Sequence, residues 1–200
     1  MYEPPKLSMQ ESFSSQEQQV KERSLIAKTA AGDGKAFEQL YQLYFKRLYQ
    51  FIFHVIRRQD YIEEIINDVM YVVWKKASTY NQTCRPSTWI LGIAYLKALK
   101  SAEQSLIRED RSAEFNDELD YFPGSGSKWI AELEVSNWLE VAFDKLSIEQ
   151  RAVVEMTYYQ GLHYNEISEI MQCPENTVKT RMFHARKILA KLFLELNHRG

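Results

Sequence analysis

Long runs of apolar residues at steps of three and four dominate the first half of this sequence. Residues 35–56, "KAFEQLYQLYFKRLYQFIFHVI", place large apolar side chains along one face of a helix, and residues 61–78 repeat the pattern. Pro86, followed by Ser and Thr, is typical of a helix start and opens a third segment that ends near residue 102. Strand-like alternation is scarce, and only seven Gly and five Pro occur in 200 residues. The pattern predicts an all-α protein.

The charged residues are distributed unevenly along a chain whose formal net charge is only −2. Residues 21–102 carry thirteen Lys and Arg against seven Asp and Glu, a net charge of +6. Residues 103–135 carry three bases and nine acids, a net charge of −6, and residues 136–200 carry eight of each. A basic, an acidic and a neutral block in this order indicate a divided chain.

Composition and periodicity together divide the chain into four parts. Residues 1–20 are rich in Ser, Gln and Glu and are predicted to form a disordered tail. Residues 21–102 are predicted to form a first small helical domain. Residues 103–128 are acidic, end in a Gly/Ser run and are predicted to form a flexible linker, or else a solvated tether with no role beyond its reach. Residues 129–200 are predicted to form a second small helical domain.

The second domain contains the pattern of a helix-turn-helix. Ser147 and Gln150 have the spacing of a capping box, and Gly161 is a natural end for the helix that they start. "YNEISEIM" predicts a short helix and "QCPEN" a turn, after which a basic helix runs from about Thr177 toward the C-terminus. Residues 176–192 contain five Lys or Arg and no acid. Two helices of this kind are predicted to bind DNA, with the second helix in the major groove.

The basic helix combines an apolar stripe with a basic remainder. The side chains predicted to pack on the domain core are Val178, Met182, Ala185 and Leu189. The Lys and Arg side chains lie largely outside that stripe, where they can neutralise phosphates or contact base edges. The alternatives are an ordinary solvated basic face or a helix that binds an acidic protein. The turn spacing and the preceding short helix favour DNA.

Two stretches of the chain resemble one family independently. "LSIEQRAVVEMTYYQGLHYNEISEIMQCPENTVKTRMFHARKIL" is similar to the promoter-binding domain of the extracytoplasmic-function (ECF) sigma factors, in the sigma-70 family of bacterial RNA polymerase. "GDGKAFEQLYQLYFKRLYQFIFHVI", "DYIEEIINDVMYVVWKKASTYN" and "STWILGIAYLKAL" resemble the family's opening helix, its acidic polymerase-binding helix and its −10-reading helix. The resemblance covers roughly residues 23–197. It implies an alternative sigma factor that binds core RNA polymerase and directs promoter-specific transcription initiation.

The resemblance assigns three groups of residues to three partners. The acidic cluster implied to contact the core polymerase is Glu63, Glu64, Asn67 and Asp68. The −10 group, implied to bind that promoter element with bases and aromatic rings, is Lys75, Lys76, Tyr80, Arg85, Trp89 and Lys97. The −35 group, implied to bind that element from the basic helix, is Lys179, Thr180, Arg181, His184, Arg186 and Lys187. The alternatives are a solvated acidic face for the acidic cluster and a core position for Trp89.

The sequence departs from the family pattern at two places that face DNA. The third helix reads "IAYL" where the family usually has "IARN", so Tyr95 and Leu96 replace Arg and Asn. On the basic helix, Phe183, His184 and Ile188 occupy positions that are often His or basic in the family. These departures predict a modest promoter affinity or an unusual recognised sequence.

Several classes of chemistry find no support in the sequence. Cys84 and Cys173 form no CxxC pair, no HxxxH spacing exists, and the four His are scattered, so no metal site is predicted. There is neither a phosphate-binding loop nor a nucleophile motif, so we predict no enzyme, no catalytic residues and no cofactor. The two cysteines are predicted to be reduced thiols of a cytosolic protein.

The remaining expectations concern location and partners. The polar N-terminus is not typical of a signal peptide, and no apolar run approaches the roughly 20 residues of a membrane span, so a cytoplasmic protein without membrane insertion is predicted. A monomer is expected when no partner is bound, and an anti-sigma factor is a further candidate partner. Two other functions stay open: a sigma-like decoy that binds an anti-sigma factor, and a helix-turn-helix regulator that does not bind polymerase.

Overall fold

The computed structural model describes residues 9–111 and 141–197, with side chains for residues 16–104 and 141–195. The helices of the N-terminal bundle are α1 (Met9–Ala30), α2 (Gly34–Ile56), α3 (Ile62–Lys76) and α4 (Pro86–Arg111), with a 3₁₀ turn at Ala77–Thr79. The C-terminal bundle comprises helical residues 141–144 and the helices α5 (Ile148–Tyr158), α6 (Tyr164–Met171) and α7 (Glu175–Asn197). The described residues contain helices and no strands, and the predicted all-α class is confirmed.

Specific capping residues fix where α2 begins and ends. The carboxylate of Asp33 accepts hydrogen bonds from the backbone N–H groups of Lys35 and Ala36, at 2.9 and 3.1 Å. These bonds satisfy donors that have no partner within the helix. At the other end, Arg57 adopts a left-handed conformation (φ 58°), and its backbone N–H donates to the carbonyl of Phe53 at 2.8 Å. The turn that follows directs the chain back along the bundle as α3.

The predicted helix boundaries of the C-terminal bundle are confirmed at three places. Ser147 and Gln150 form the capping box, because each side chain binds the backbone N–H of the other residue. Gly161 follows α5 with a φ of +63°, a conformation that suits glycine. Gln172 ends α6 in the left-handed region (φ 50°), and its backbone N–H reaches back into the last turn of that helix.

Apolar side chains from α1, α2, α3 and α4 form the core of the N-terminal bundle. Its largest fully buried members are Tyr44, Phe51, Ile26, Leu40, Leu48, Ile52, Ile62, Ile66, Met70, Ile90 and Leu91. Each such side chain contributes about 1.5–3 kcal/mol through its removal from water. The C-terminal bundle packs in the same way. Helix α7 presents Val178, Met182 and Ala185 to the core as predicted, and the fourth predicted residue, Leu189, is partly buried against it.

The N-terminal tail differs from the prediction. Residues 1–20 were expected to be disordered, whereas α1 begins at Met9 and continues to Ala30. Its C-terminal half is anchored because Leu25 and Ile26 are buried and Glu22 accepts a hydrogen bond from the Tyr44 hydroxyl at 2.8 Å. Gln and Glu have good helix propensity, which explains why the anchored helix extends into the polar segment. Residues 1–8 lie outside the described residues.

The start of the predicted linker also differs. The third helix was expected to end near residue 102, but α4 continues to Arg111. The sequence "KSAEQSLIREDR" contains no Gly or Pro and consists largely of good helix formers, which explains the extension. The rest of the predicted linker of residues 103–128, namely residues 112–128, and the start of the second domain at residue 129 lie outside the described residues.

The two bundles pack directly against each other. Helix α5 lies along α2, and α6 lies along α4. Between α2 and α5, His54 Nδ1 lies 2.6 Å from Glu155 Oε2, and Arg47 donates to the side chain of Gln160. Arg57 follows α2 and binds Asp144 at 2.7 Å. The contact therefore joins polar side chains of the two halves as well as apolar surface.

Candidate nucleic-acid interface

The pair α6–α7 has the geometry of a helix-turn-helix. The backbone N–H of Cys173 donates to the carbonyl of Ser168 at 3.1 Å, which closes the turn after α6. Pro174 then precedes the first turn of α7, and its carbonyl accepts the backbone N–H of Thr177 at 2.8 Å. A short turn between two packed helices exposes the outer face of the second one. That face is the candidate DNA-binding surface.

The outer face of α7 is a stripe of exposed side chains opposite the buried one. At 100° per residue, the stripe is centred about half a turn away from Val178 and Ala185. Its exposed members, here called the outer stripe, are Asn176, Thr180, Phe183, His184 and Lys187. Lys179 is also exposed at the edge of the stripe, where it pairs with Glu175 one turn earlier at 2.7 Å. The −35 group therefore contributes Thr180, His184 and Lys187 to one accessible surface.

Two other members of the −35 group lie at the flanks and are half-buried. The Arg181 guanidinium approaches the sulfur atoms of Met171 and Cys173, at 3.9 and 3.6 Å. Arg186 donates to the Tyr158 hydroxyl at 3.0 Å, and its guanidinium lies 5.7 Å from the centroid of the same ring. Both arginines are therefore partly engaged within the C-terminal bundle and do not lie on the outer stripe.

The acidic cluster lies on the open side of α3. Glu63, Glu64, Asn67 and Asp68 are all exposed, and the two glutamates occupy the first turn, where the helix dipole favours negative charge. Asn67 accepts a hydrogen bond from the Tyr41 hydroxyl at 2.9 Å. Lys97, which sequence analysis placed in the −10 group, binds Asp68 at 2.7 Å. The structure thus joins two residues that were predicted to serve different partners.

The loop before α4 holds the aromatic members of the −10 group together. The rings of Tyr80 and Trp89 are half-buried and lie 5.1 Å apart between centroids. The Tyr80 hydroxyl donates to the carbonyl of Cys84 at 2.6 Å, and burial raises the pKa of Tyr80 above its usual value. Lys75 and Lys76 are exposed at the end of α3. The aromatic pair supports the loop and leaves the two lysines accessible.

The C-terminal bundle covers one end of the −10 group. Arg85 Nη2 lies 3.0 Å from Glu166 Oε2, and the hydroxyl of the buried Thr88 donates to Glu166 Oε1 at 2.9 Å. The same carboxylate accepts the backbone N–H of His163 at 3.0 Å. Glu166 therefore caps its own helix and binds the start of α4 at once.

Sequence analysis missed Glu155, which joins the bundles, and treated Tyr95 only as a departure from the family pattern at a place that faces DNA, whereas the structure buries it. Glu155 is fully buried, at 0% exposure, and its carboxylate receives Gln160 Nε2 at 3.1 Å in addition to His54. Tyr95 is 3% exposed on α4, and burial raises its pKa to about 12. The acid within the apolar run "VVEM" is the signal that could have identified Glu155, and an aromatic residue within the apolar "IAYL" is consistent with the burial of Tyr95.

The described residues contain no group of His, Cys, Asp and Glu that could hold a metal ion. Cys84 and Cys173 are unpaired and half-buried. Burial and, to a lesser extent, the nearby Glu169 and Glu166 raise the pKa of the Cys84 thiol. Among the described residues, no helix combines the length and the apolar composition of a membrane-spanning segment.

Comparison with known proteins identifies the family. Residues 136–189 match the family described as "Sigma-70, region 4". The chain is 31% identical over 163 residues to the ECF RNA polymerase sigma factor SigK of Mycobacterium ulcerans, covering 80% of this chain and 86% of the relative. It is 27% identical over 161 residues to the ECF RNA polymerase sigma factor SigX of Bacillus subtilis, covering 78% and 83%.

Solved structures give the same fold. The sigma factor RpoE from Bartonella quintana, determined in complex with the anti-sigma factor NepR, superposes with a TM-score of 0.66 at 21% identity, covering 80% of this chain and 97% of RpoE. CnrH, determined with the cytosolic domain of CnrY, superposes with a TM-score of 0.62 at 20% identity, covering 86% and 97%. Because the sequence match to SigK spans most of both proteins, this chain belongs to the ECF family of RNA polymerase sigma factors.

Proposed function

We propose that this chain binds core RNA polymerase and directs it to promoters with a −35 and a −10 element. The observation that carries the proposal is the outer stripe of α7 on a helix-turn-helix that matches sigma-70 region 4. A helix exposed in this way fits the major groove, and the lysines beside and within the stripe can neutralise phosphates. The family is not one of enzymes, so RNA synthesis belongs to the polymerase.

The three groups of residues divide the proposed work. The acidic cluster on α3 is exposed and suits a basic surface of the polymerase, where it would steer association and fix orientation. Lys75 and Lys76 are exposed beside the aromatic pair of the −10 loop, an arrangement that suits an opened DNA strand. Thr180, His184 and Lys187 on the outer stripe contact the −35 element.

Binding both promoter elements at once requires the two bundles to separate. The labels −35 and −10 denote positions 25 base pairs apart, which is about 85 Å of B-form DNA at 3.4 Å per base pair. In the closed chain, Glu166 on α6 lies within 3.0 Å of Arg85 at the other bundle. A fully extended chain of 29 residues, the number between 111 and 141, reaches about 95 Å. The chain length between the bundles therefore permits the separation.

Run-off transcription tests the proposal directly. Purified protein is mixed with core RNA polymerase and genomic DNA fragments, and the transcripts are sequenced. We expect start sites at a fixed distance after a shared two-part motif. Tight binding to core polymerase without transcripts would indicate weak −10 function or a missing activator. Neither transcripts nor core binding would favour the decoy hypothesis. DNA binding without core binding would favour a helix-turn-helix regulator.

A second proposed partner is an anti-sigma factor. It is supported by the two solved structures of similar fold, RpoE with its anti-sigma factor NepR and CnrH with CnrY. An anti-sigma factor bound to this chain would hold the two bundles packed against each other, as they are in the structure. We expect a protein to co-purify with this chain and, when added to the purified chain, to block its binding to core polymerase. If the chain binds core polymerase equally well with and without that protein, the protein is not an anti-sigma factor.

A further inference from the structure

Phe183 is an apolar ring in the middle of the outer stripe. Its side chain is 64% exposed, and its ring lies edge-on to His184 with 5.5 Å between centroids. A single exposed phenylalanine is ordinary on a protein surface. Here its position matters, because Thr180 lies one turn before it and Lys187 one turn after it on the same face. A groove that accommodates those two side chains also accommodates the ring.

The chemistry of the ring restricts what it can contact in a major groove. Phenylalanine neither donates nor accepts hydrogen bonds, so it cannot read the polar edge of a guanine, adenine or cytosine. The C5-methyl group of thymine is the apolar feature that base pairs present in this groove, and phenylalanine is among the side chains that contact it. Cations at neighbouring positions, Lys179 and Lys187, can bind the flanking phosphates while the ring faces the bases.

We propose that Phe183 contacts the C5-methyl group of a thymine in the −35 element and makes that position thymine-specific. The inference rests on the proposed function and extends it from promoter binding to the identity of one base. A cytosine at this position has no methyl group and carries an amino group that the ring would leave without a hydrogen-bond partner. The wrong base is therefore disfavoured both by a lost contact and by an unsatisfied donor.

Removal of one methyl group from the DNA provides the test. The −35 element is first identified by selection with the full-length chain bound to core polymerase. Each thymine of the element is then replaced singly by 2′-deoxyuridine, which differs only by lacking the C5-methyl group. Equilibrium binding of the same holoenzyme is measured on each DNA. We expect about a fourfold loss at one position, the value that corresponds to one buried methyl group.

Phe183→Ala assigns the effect to this side chain. At the position where the wild type distinguishes thymine from uracil, the variant should bind the two DNAs equally well. Phe193→Ala is the matched control, because Phe193 is 52% exposed on the same helix but projects away from the outer stripe. That control should keep the fourfold difference between thymine and uracil.

Two results would overturn the inference while leaving the proposed function intact. One is a holoenzyme that binds its −35 element and does not distinguish thymine from uracil at any position. The other is a Phe183→Ala variant that binds more weakly but preserves the thymine-to-uracil ratio, which would make the ring a general contact. Failure of the wild-type holoenzyme to bind any promoter would instead overturn the proposed function, and the thymine readout with it.

Discussion

The acidic cluster on α3 and the start of α4 lie in the same bundle, but only the start of α4 is covered by the other bundle. Glu63 and Glu64 on α3 face solvent, whereas Arg85 and Thr88 at the start of α4 are held by Glu166 of the other bundle. The residue types alone indicate core polymerase as the partner of the acidic cluster and DNA as the partner of the −10 group. The packing of the C-terminal bundle decides that Arg85 and Thr88 are covered, whereas the acidic cluster, like the two lysines at the end of α3, stays accessible.

The largest expected effect breaks a buried polar contact between the two bundles. Glu155→Ala removes a fully buried carboxylate and leaves His54 and Gln160 without their shared partner. Loss of one member of a buried polar pair costs about 3–5 kcal/mol. The free energy of unfolding, measured by urea denaturation, should fall by about 3 kcal/mol. Glu149→Ala, on the same helix but more accessible, is the control and should change it by less than about 1 kcal/mol.

The second prediction concerns the acidic cluster on α3, which is exposed to solvent. Glu63→Lys combined with Glu64→Lys reverses the charge at the N-terminus of α3 and should weaken core-polymerase binding at least tenfold. Both side chains are exposed, so only their interaction with the helix dipole is lost, and the free energy of unfolding should fall by no more than about 2 kcal/mol. Glu17→Lys combined with Glu103→Lys makes the same change in net charge at exposed sites elsewhere. Equal loss of affinity in both double variants would show that only net charge matters and would remove the acidic cluster as the docking site.

The third prediction concerns the buried Tyr95 of α4 and the loss of stability of the folded chain at alkaline pH. Burial raises the pKa of Tyr95 to about 12, with Glu149 and Cys173 adding to the rise and Arg181 opposing it. Because the folded chain favours the neutral phenol, this stabilisation is complete below the unfolded-state pKa of about 10 and is lost as the pH rises toward 12. Between pH 9 and pH 11 the loss should be about 1.3 kcal/mol.

Tyr95→Phe should lack that portion of the alkaline loss, as measured by denaturation at both pH values. Tyr71→Phe, at an exposed tyrosine of α3, should behave as the wild type does. A Tyr95→Phe chain whose stability falls in parallel with that of the wild type would remove Tyr95 as the source of the effect.

The smallest expected effect concerns the single hydrogen bond from Thr88 to Glu166, which helps to cover the start of α4. Thr88→Val keeps the shape of a buried side chain but removes the donor to Glu166, at a cost of about 1 kcal/mol. Thr79→Val removes only an exposed local bond to the carbonyl of Lys76 and should cost less. The thiol of the half-buried Cys84 should react faster with a thiol reagent in Thr88→Val than in Thr79→Val. Equal reactivity would indicate that Glu166 does not control access to this region.

Local patterns were sufficient for most of the helices. The capping box at Ser147 and Gln150, the start of α4 at Pro86 and the apolar stripe of α7 all depend on neighbours within one or two turns, so the sequence predicts them. The prediction failed for α1 because its polar half continues a helix that is anchored elsewhere, by the burial of Leu25 and Ile26. The assignments of the three residue groups remain predictions.

The sequence by itself determined the helices, the family and the segregation of acidic and basic residues, because those follow from periodicity, caps and motifs along the chain. Tertiary structure alone decided that Arg181 contacts Met171 and Arg186 binds Tyr158, that Lys97 binds Asp68, and that Glu166 covers the start of α4. The physical reason is distance along the chain. A bond such as that from Thr88 to Glu166 joins residues 78 positions apart, and local periodicity does not record which helix faces will meet.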